Sequence, residues 1–312
     1  MAPKLLLTGG SGMVGKNVLE HPKALEWKVL APSSKDLNLL DSDSVLKYLR
    51  ENKPDIIVHA AGLVGGIQSN IEDPISYLDQ NLLIGRNIII GAYRSGVKRF
   101  LNIASSCMYP RNAESPLQED SILSGELEPT NEGYALAKIV SARFCEYIQK
   151  RDQTLSYKSL IPCNLYGRFD KFGAKNSHLV AAIIHKIHNA KINGEGVVEI
   201  WGNGSARRQF MFASDLADAI FKAAHEIDSI PNLMNIAPSE DFSVDDYYKM
   251  VKKILNWNGT FTHDLSKPEG MQKKLASTHL QSLWGWQPKT GLSEGIKEAY
   301  RYYCLESGFE VD

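Results

Sequence analysis

The sequence has little of what would direct a protein to nucleic acid, a bilayer or a metal ion. Lys and Arg number 35 against 36 Asp and Glu, a formal net charge of −1. No basic field is available to attract a phosphodiester backbone or an anionic lipid surface. Cysteine is scarce, four residues at Cys107, Cys145, Cys163 and Cys304 with no C-x-x-C pair. That argues against a zinc site or a redox pair and fits a reducing cytoplasm. Apolar runs are short: Asn87-Ile88-Ile89-Ile90 cannot span a bilayer, which takes about 20 residues. The start reaches Thr8-Gly9-Gly10 after only three leucines, too few for a secretory leader. A soluble cytoplasmic protein is expected, with no nucleic-acid or membrane partner.

What is present is an alternation of short apolar runs with longer amphipathic ones. Lys4–Thr8, Lys28–Ala31, Asp55–His59, Arg99–Ala104 and Tyr157–Pro162 read as strands, and Ser42–Glu51 and Tyr134–Lys150 carry helical spacing. Repeated strand, helix, strand predicts an α/β protein with a Rossmann-like, doubly wound parallel sheet. The 312 residues allow a large core divided over two lobes. The expected division is a dinucleotide-binding domain over 1–165 and a smaller, mainly substrate-binding α/β domain over 166–312. Arg168–Asn176 has the composition of a loop leading into a helix at Ser177–Ala190. A strand at Arg208–Ala213 and a helix at Ser214–Glu226 form a segment, near 205–238, expected to return to the main sheet. No internal repeat or low-complexity tract interrupts this order.

Thr8-Gly9-Gly10-Ser11-Gly12-Met13-Val14-Gly15 follows the first strand and opens the first helix, with glycines at G-x-x-G-x-x-G spacing. Residues without a Cβ let the backbone approach a pyrophosphate, which then rests on the helix N-terminus. The second strand ends in Ala31-Pro32-Ser33-Ser34-Lys35-Asp36. An acid at that place suits the bare ribose of NAD, whereas hydroxyls and a cation suit a 2′-phosphate. Ser33, Ser34 and Lys35 come first, so NADP is the expected cofactor, with Asp36 the dissenting residue.

Ser105 stands at the end of a strand, and Tyr134 and Lys138 share one helix face four residues apart. Tyr134 is suited to protonate a carbonyl oxygen as hydride arrives, and Ser105 to hold that oxygen. The Lys138 ammonium is expected to lower the phenol pKa from about 10. Cys107, two residues past Ser105, adds an acid or base that plain carbonyl reduction does not need.

The order of Gly loop, Ser and Tyr-x-x-x-Lys resembles the extended short-chain dehydrogenase/reductase superfamily. Longer strings resemble one family within it: Asp36–Asp41, Val64-Gly65-Gly66-Ile67, Ser105–Pro110, Leu127-Glu128-Pro129-Thr130-Asn131-Glu132, Asn164-Leu165-Tyr166-Gly167, Asn176-Ser177-His178 and Arg207-Arg208-Gln209-Phe210. That family is the GDP-4-keto-6-deoxy-D-mannose epimerase/reductases, the GDP-L-fucose synthases. The resemblance implies inversion at C3 and C5 of the sugar followed by NADPH-dependent reduction at C4. In that scheme Cys107 is the base, its thiol pKa of about 8.5 lowered by a nearby cation, and His178 the acid. The resemblance also implies cofactor contacts from the loop residues Gly9 to Gly15, from Ser33 to Leu37, and from Ala60, Ala61, Ile103, Ala104 and Ser106. Further cofactor contacts are implied at Lys138, Pro162, Cys163, Asn164, Leu165 and His178, and substrate contacts at Ser105, Asn164, Lys186, Trp201, Arg208 and Glu269. The sequence departs from the family at three places: Lys186 stands where some members have Arg, Glu269 where Asp is usual, and Ser11 where some have Arg.

Several alternatives are weighed differently by these residues. A 4,6-dehydratase needs acids just past the Ser, where Ser106-Cys107 stands. A sister enzyme using the same scheme on another GDP-4-keto sugar, a dideoxy sugar or a heptose, remains open. A catalytically silent NADP-binding sensor or scaffold has no need of Ser105, Tyr134 and Lys138 together. His178, His185 and His188 lie on one helical segment without Cys or carboxylate partners, so no metal is expected. The family habit of pairing through the Tyr-Lys helix and the one before it implies a homodimer, and Asn81–Ala92 and Ala135–Ile148 have the apolar content for it.

Overall fold

The structure is a computed structural model that describes residues 2–173, 177–267 and 271–310. Its first half alternates β1 (Lys4–Thr8), α1 (Met13–Glu20), β2 (Lys28–Leu30), α2 (Ser42–Asn52), β3 (Ile56–His59), α3 (Ile67–Glu72), α4 (Pro74–Arg94), β4 (Arg99–Ile103), α5 (Glu132–Arg151) and β5 (Ser156–Pro162). Leu5 to Thr8, Ile56 to His59 and all of β5 are buried, as strands covered on both faces must be. Their uninterrupted apolar runs have that cause. Leu5, Leu7, Val58 and Leu101 face one layer of helices; Leu6, Ile57, Phe100 and Tyr157 face the other.

Beyond β5 follow β6 (Asn164–Tyr166), α6 (Leu179–Asn193), β7 (Val197–Trp201), β8 (Arg207–Arg208), β9 (Phe210–Phe212), α7 (Ala213–His225) and β10 (Leu233–Ile236). The chain continues with β11 (Phe242–Ser243), α8 (Val244–Ile254), β12 (Thr260–Asp264), β13 (Lys273–Lys274), α9 (His279–Leu283) and α10 (Leu292–Ser307). The main sheet has the order β2-β1-β3-β4-β5-β10 and is parallel throughout. This is the doubly wound arrangement expected, and its strand order reverses between β1 and β3, where ligands bind at the carboxyl ends of such sheets. A second apolar cluster joins α6, α8 and α10 around Tyr166, Ile184, Tyr247 and Trp257.

The segment near 205–238 returns to the main sheet through β10, which lies beside β5, while the strand after Arg208 pairs elsewhere: β9 with β6, and β8 with β11 and β13. The buried Gln209 makes the switch, its amide donating to the Pro238 carbonyl at 2.6 Å and accepting from the Ala276 N–H at 2.7 Å. Its two neighbours therefore belong to different sheets. The expected helix at Ser177–Ala190 begins two residues later and runs on to Gly194, whose left-handed backbone closes it.

Candidate active site

The glycine loop is built without room for side chains. Gly9 has φ +78°, and a Cβ there would lie 2.7 Å from the Ala61 nitrogen; a Cβ on Gly15 would lie 2.1 Å from the Gly9 carbonyl oxygen. Gly12 is the N-cap of α1 with no side-chain bond on the exposed first turn. The helix N-terminus and the absent Cβ atoms fit a dinucleotide pyrophosphate. At the end of β2, Ser33 donates from its N–H and hydroxyl to Asp36 Oδ2, at 3.2 and 2.6 Å. Asp36, the residue favouring NAD, is thus engaged within its own turn, while Ser34 and Lys35 are exposed. Ala60 bonds the Thr8 carbonyl, Ala104 the Leu160 carbonyl and Cys163 the Ile236 carbonyl. Together with Ile103, Ser106, Pro162, Asn164 and Leu165, these residues follow the carboxyl ends of the strands.

Ser105, Tyr134 and Lys138 meet there. The Ser105 hydroxyl accepts the Cys107 N–H at 3.2 Å, and Ser105 acts to lower the Tyr134 phenol pKa. Lys138 is buried, donates to the Ile103 carbonyl at 3.0 Å and lies 5.7 Å from the centroid of the Tyr134 ring. Burial brings the Lys138 pKa down to about 8, with Cys107 pulling the other way. The expected lowering of the Tyr134 pKa by Lys138 is reversed. Desolvation pushes the phenol up, Cys107 and Tyr77 add to it, and Ser105 alone opposes. A desolvated Lys138 tied to a backbone carbonyl leaves burial the dominant influence on its neighbour.

Two residues that sequence reasoning missed surround Cys107. Asn131 Nδ2 donates to Cys107 Sγ at 3.3 Å, and Lys274 Nζ reaches it at 4.0 Å. Lys274 is brought there by the pairing of β13 with β8. Asn131 stands in a string already noted; Lys274 had no signal. A third omission, Asn81 on α4, pins the loop after β3 by accepting the Leu63 N–H at 2.8 Å and donating to the Leu63 carbonyl at 3.1 Å.

His178 caps α6, and burial, then the Lys171 charge, lowers its pKa. No hydrogen bond or ion pair joins it to Cys107 among the described residues, but the adjoining Ser177 carbonyl lies against Gly66. The other expected substrate contacts lie further along. Lys186 Nζ donates to the Glu199 carbonyl at 3.2 Å and stands 5.5 Å above the exposed Trp201 ring, which Lys267 approaches at the same distance. Arg208 is depressed in pKa by burial, with Glu128 raising it, and Asn164 donates to the Gln209 carbonyl at 3.2 Å. Glu269 lies outside the described residues. A cavity of ≈ 970 Å³ lined by Arg111, Glu114, Glu128, Gln272 and Lys273 opens beside this group. Among the described residues no cluster of His, Cys, Asp and Glu could hold a metal ion, and no helix is long and apolar enough to cross a membrane.

A glycine cradle at the switch point of a parallel sheet, facing a Ser-Tyr-Lys group, defines an extended short-chain dehydrogenase/reductase. The chain belongs to the NAD dependent epimerase/dehydratase family, matched over residues 5–237. It is 48% identical over 303 residues to a GDP-L-colitose synthase of Yersinia pseudotuberculosis, covering 97% of this chain and 98% of that one. It is also 48% identical over 309 residues to a GDP-L-fucose synthase of Azorhizobium caulinodans, covering 99% and 98%. Among solved structures it superposes on a GDP-L-fucose synthetase from Naegleria fowleri bound to NADP, with TM-score 0.86, 25% identity, and 98% and 95% coverage.

Proposed function

We propose that the chain is a cytoplasmic GDP-L-fucose synthase that converts GDP-4-keto-6-deoxy-D-mannose to GDP-L-fucose with NADPH. The observation that carries this reading is Cys107, two residues from Ser105 and flanked by Asn131 and Lys274. A reductase alone has no use for that thiol. The 4-keto group acidifies the hydrogens on C3 and C5, so each centre inverts when one group removes a proton and another returns one to the opposite face. Cys107 takes the proton, with the Asn131 amide and the Lys274 side chain beside its sulfur. His178 supplies one from the other side. Ser105 and Tyr134 hold the carbonyl oxygen, with its negative charge building during enolisation, and Tyr134 protonates it during reduction. NADPH, when bound, supplies the hydride. Lys138 keeps a positive charge next to the phenol, and Lys186, Arg208 and Trp201 serve the GDP moiety. The cofactor is carried mainly by 1–165 and the sugar nucleotide mainly by 166–312, and the chain works as a homodimer.

The 48% identity to a GDP-L-colitose synthase favours a second reading, in which a dideoxy 4-keto sugar is the substrate. Mixing the protein with NADPH and GDP-4-keto-6-deoxy-D-mannose tests the first. NADPH oxidation is expected, and its absence rejects the assignment. Tyr134→Phe is expected to abolish oxidation while solvent deuterium still enters at C3 or C5. Cys107→Ser is expected to slow that exchange; full exchange in this variant removes Cys107 as the base.

A further inference from the structure

The Val64-Gly65-Gly66-Ile67 string has no role in the chemistry above, yet it borders a phenol that has none either. Tyr77 lies on α4, one turn before Asn81, as Tyr134 lies on α5 one turn before Lys138. The two helices touch at this level: a Cβ on Gly133 would lie 3.0 Å from the Pro74 carbonyl oxygen and 3.1 Å from Leu78 Cβ. One turn on, a Cβ on Gly62 would lie 2.9 Å from Asn81 Oδ1 and 3.8 Å from Lys138 Nζ. The Tyr77 ring is 6% exposed, and its hydroxyl has no hydrogen-bond partner among the described residues. That oxygen occupies the space a side chain on residue 65 would fill, since a Cβ on Gly65 would stand 2.1 Å from it. Gly65 is therefore the residue that admits the phenol. A phenol buried to this degree normally finds a partner. The closeness of Leu78 to Gly133, and of Asn81 and Lys138 to Gly62, sets Tyr77 on the turn of α4 that is level with Tyr134.

We infer that the Tyr77 hydroxyl binds the sugar hydroxyl on C3 and so selects a 3-hydroxy over a 3-deoxy substrate. The inference rests on the GDP-4-keto-sugar reading. With C4 held by Tyr134 and Ser105, its two ring neighbours are C3, which bears a hydroxyl, and C5, which bears a methyl group and the ring oxygen. C3 alone of the two offers a hydroxyl. A site that hydrogen-bonds a substrate hydroxyl discriminates against the analogue lacking it, because the protein group is then left unpaired.

The test compares wild type and Tyr77→Phe on GDP-4-keto-6-deoxy-D-mannose and on its 3-deoxy counterpart, reading kcat/KM from NADPH oxidation. Wild type is expected to prefer the 3-hydroxy sugar. Tyr77→Phe is expected to lose about tenfold on that sugar and to stay within about twofold on the 3-deoxy one. Gly65→Ala, whose Cβ displaces the phenol oxygen, is expected to lose the same discrimination. A general loss of packing would depress both substrates together. Equal losses on the two, or no loss on the 3-hydroxy sugar, overturns the inference alone; a wild type that prefers the 3-deoxy sugar overturns it and favours the dideoxy-sugar reading over the fucose one. A wild type that oxidises NADPH with neither sugar overturns it together with the reading beneath it.

Discussion

At the scale of single residues, burial sets the proton chemistry. Lys138 is held at about 8, whereas desolvation moves Tyr134 the other way. His59, beneath the site and bonded through Nδ1 to Thr8 Oγ1 at 2.7 Å, is driven to about 3 by burial and then by Lys138, so it adds no second cation. Of the Tyr134 and Lys138 pair, the group that changes charge first as pH rises is then Lys138, while Tyr134 keeps its proton. NADPH oxidation is expected to be level near neutrality and to fall about tenfold per pH unit above pH about 8. A profile of kcat/KM that stays flat to pH about 9.5 would remove the ammonium from the mechanism. The linkage to stability has its own sign. Lys138 titrates lower in the folded chain than its ordinary 10.5, so the unfolded chain binds more protons between about 8 and 10.5. The cost of burying the charge is full below that window and is relieved as pH rises through it. Ser105, Tyr134 and Lys138 were legible in the sequence because a strand end and an i, i+4 pair are local patterns. The charge environment of Cys107 was not, since Lys274 arrives from 167 residues away.

At the scale of elements, the first βα turn is the part most tightly fixed by backbone. The Cβ of a Gly15→Ala variant would meet the Gly9 carbonyl oxygen at 2.1 Å and the Gly10 Cα at 2.5 Å. Neither is the far end of a flexible side chain, so the loop has to widen and the pyrophosphate seat with it. NADPH affinity, followed by fluorescence titration, is expected to fall at least tenfold, about 1.4 kcal/mol. Gly196→Ala is the control, since a Cβ there meets nothing within 4 Å and the backbone is not left-handed; binding and stability are expected to change by less than about 0.5 kcal/mol. Unchanged affinity in Gly15→Ala would contradict the cradle. The same level explains what the sequence pattern left open. Phe210-Met211-Phe212 is an apolar run that suits a strand in either sheet, and period and composition carry no information about which. The decision lies in the Gln209 amide, which bonds Pro238 and Ala276, groups distant in sequence.

At the scale of the whole molecule, the catalytic helix is braced on one side only by its own chain. α4 and α5 approach closely enough for a Cβ on Gly85 to meet Ser141 Oγ at 2.1 Å, and Tyr134 and Lys138 face inward from that crossing. The outward side carries Ile75, Leu78, Leu136 and Tyr147, exposed apolar side chains on the same two helices. Scattered exposed apolar residues need no explanation, but exposed apolar side chains shared by two packed helices are the kind of surface a second copy of the chain would cover. A two-fold copy of this face would set four helices together, and an isologous pairing of this kind is the commonest oligomer. Light scattering is expected to give twice the 34.7 kDa chain mass at micromolar concentration. Ile75→Glu combined with Tyr147→Glu, which introduces charge at the two most exposed of these positions and leaves the contact of Leu78 with Gly133 intact, is expected to give a monomer. Because the α5 helix bearing Tyr134 and Lys138 would lie against such an interface, turnover in the monomer is expected to drop further than NADPH affinity, which depends on the glycine cradle. A wild-type chain that is monomeric at micromolar concentration and still turns over substrate would leave the outward face of α4 and α5 without a structural role in catalysis.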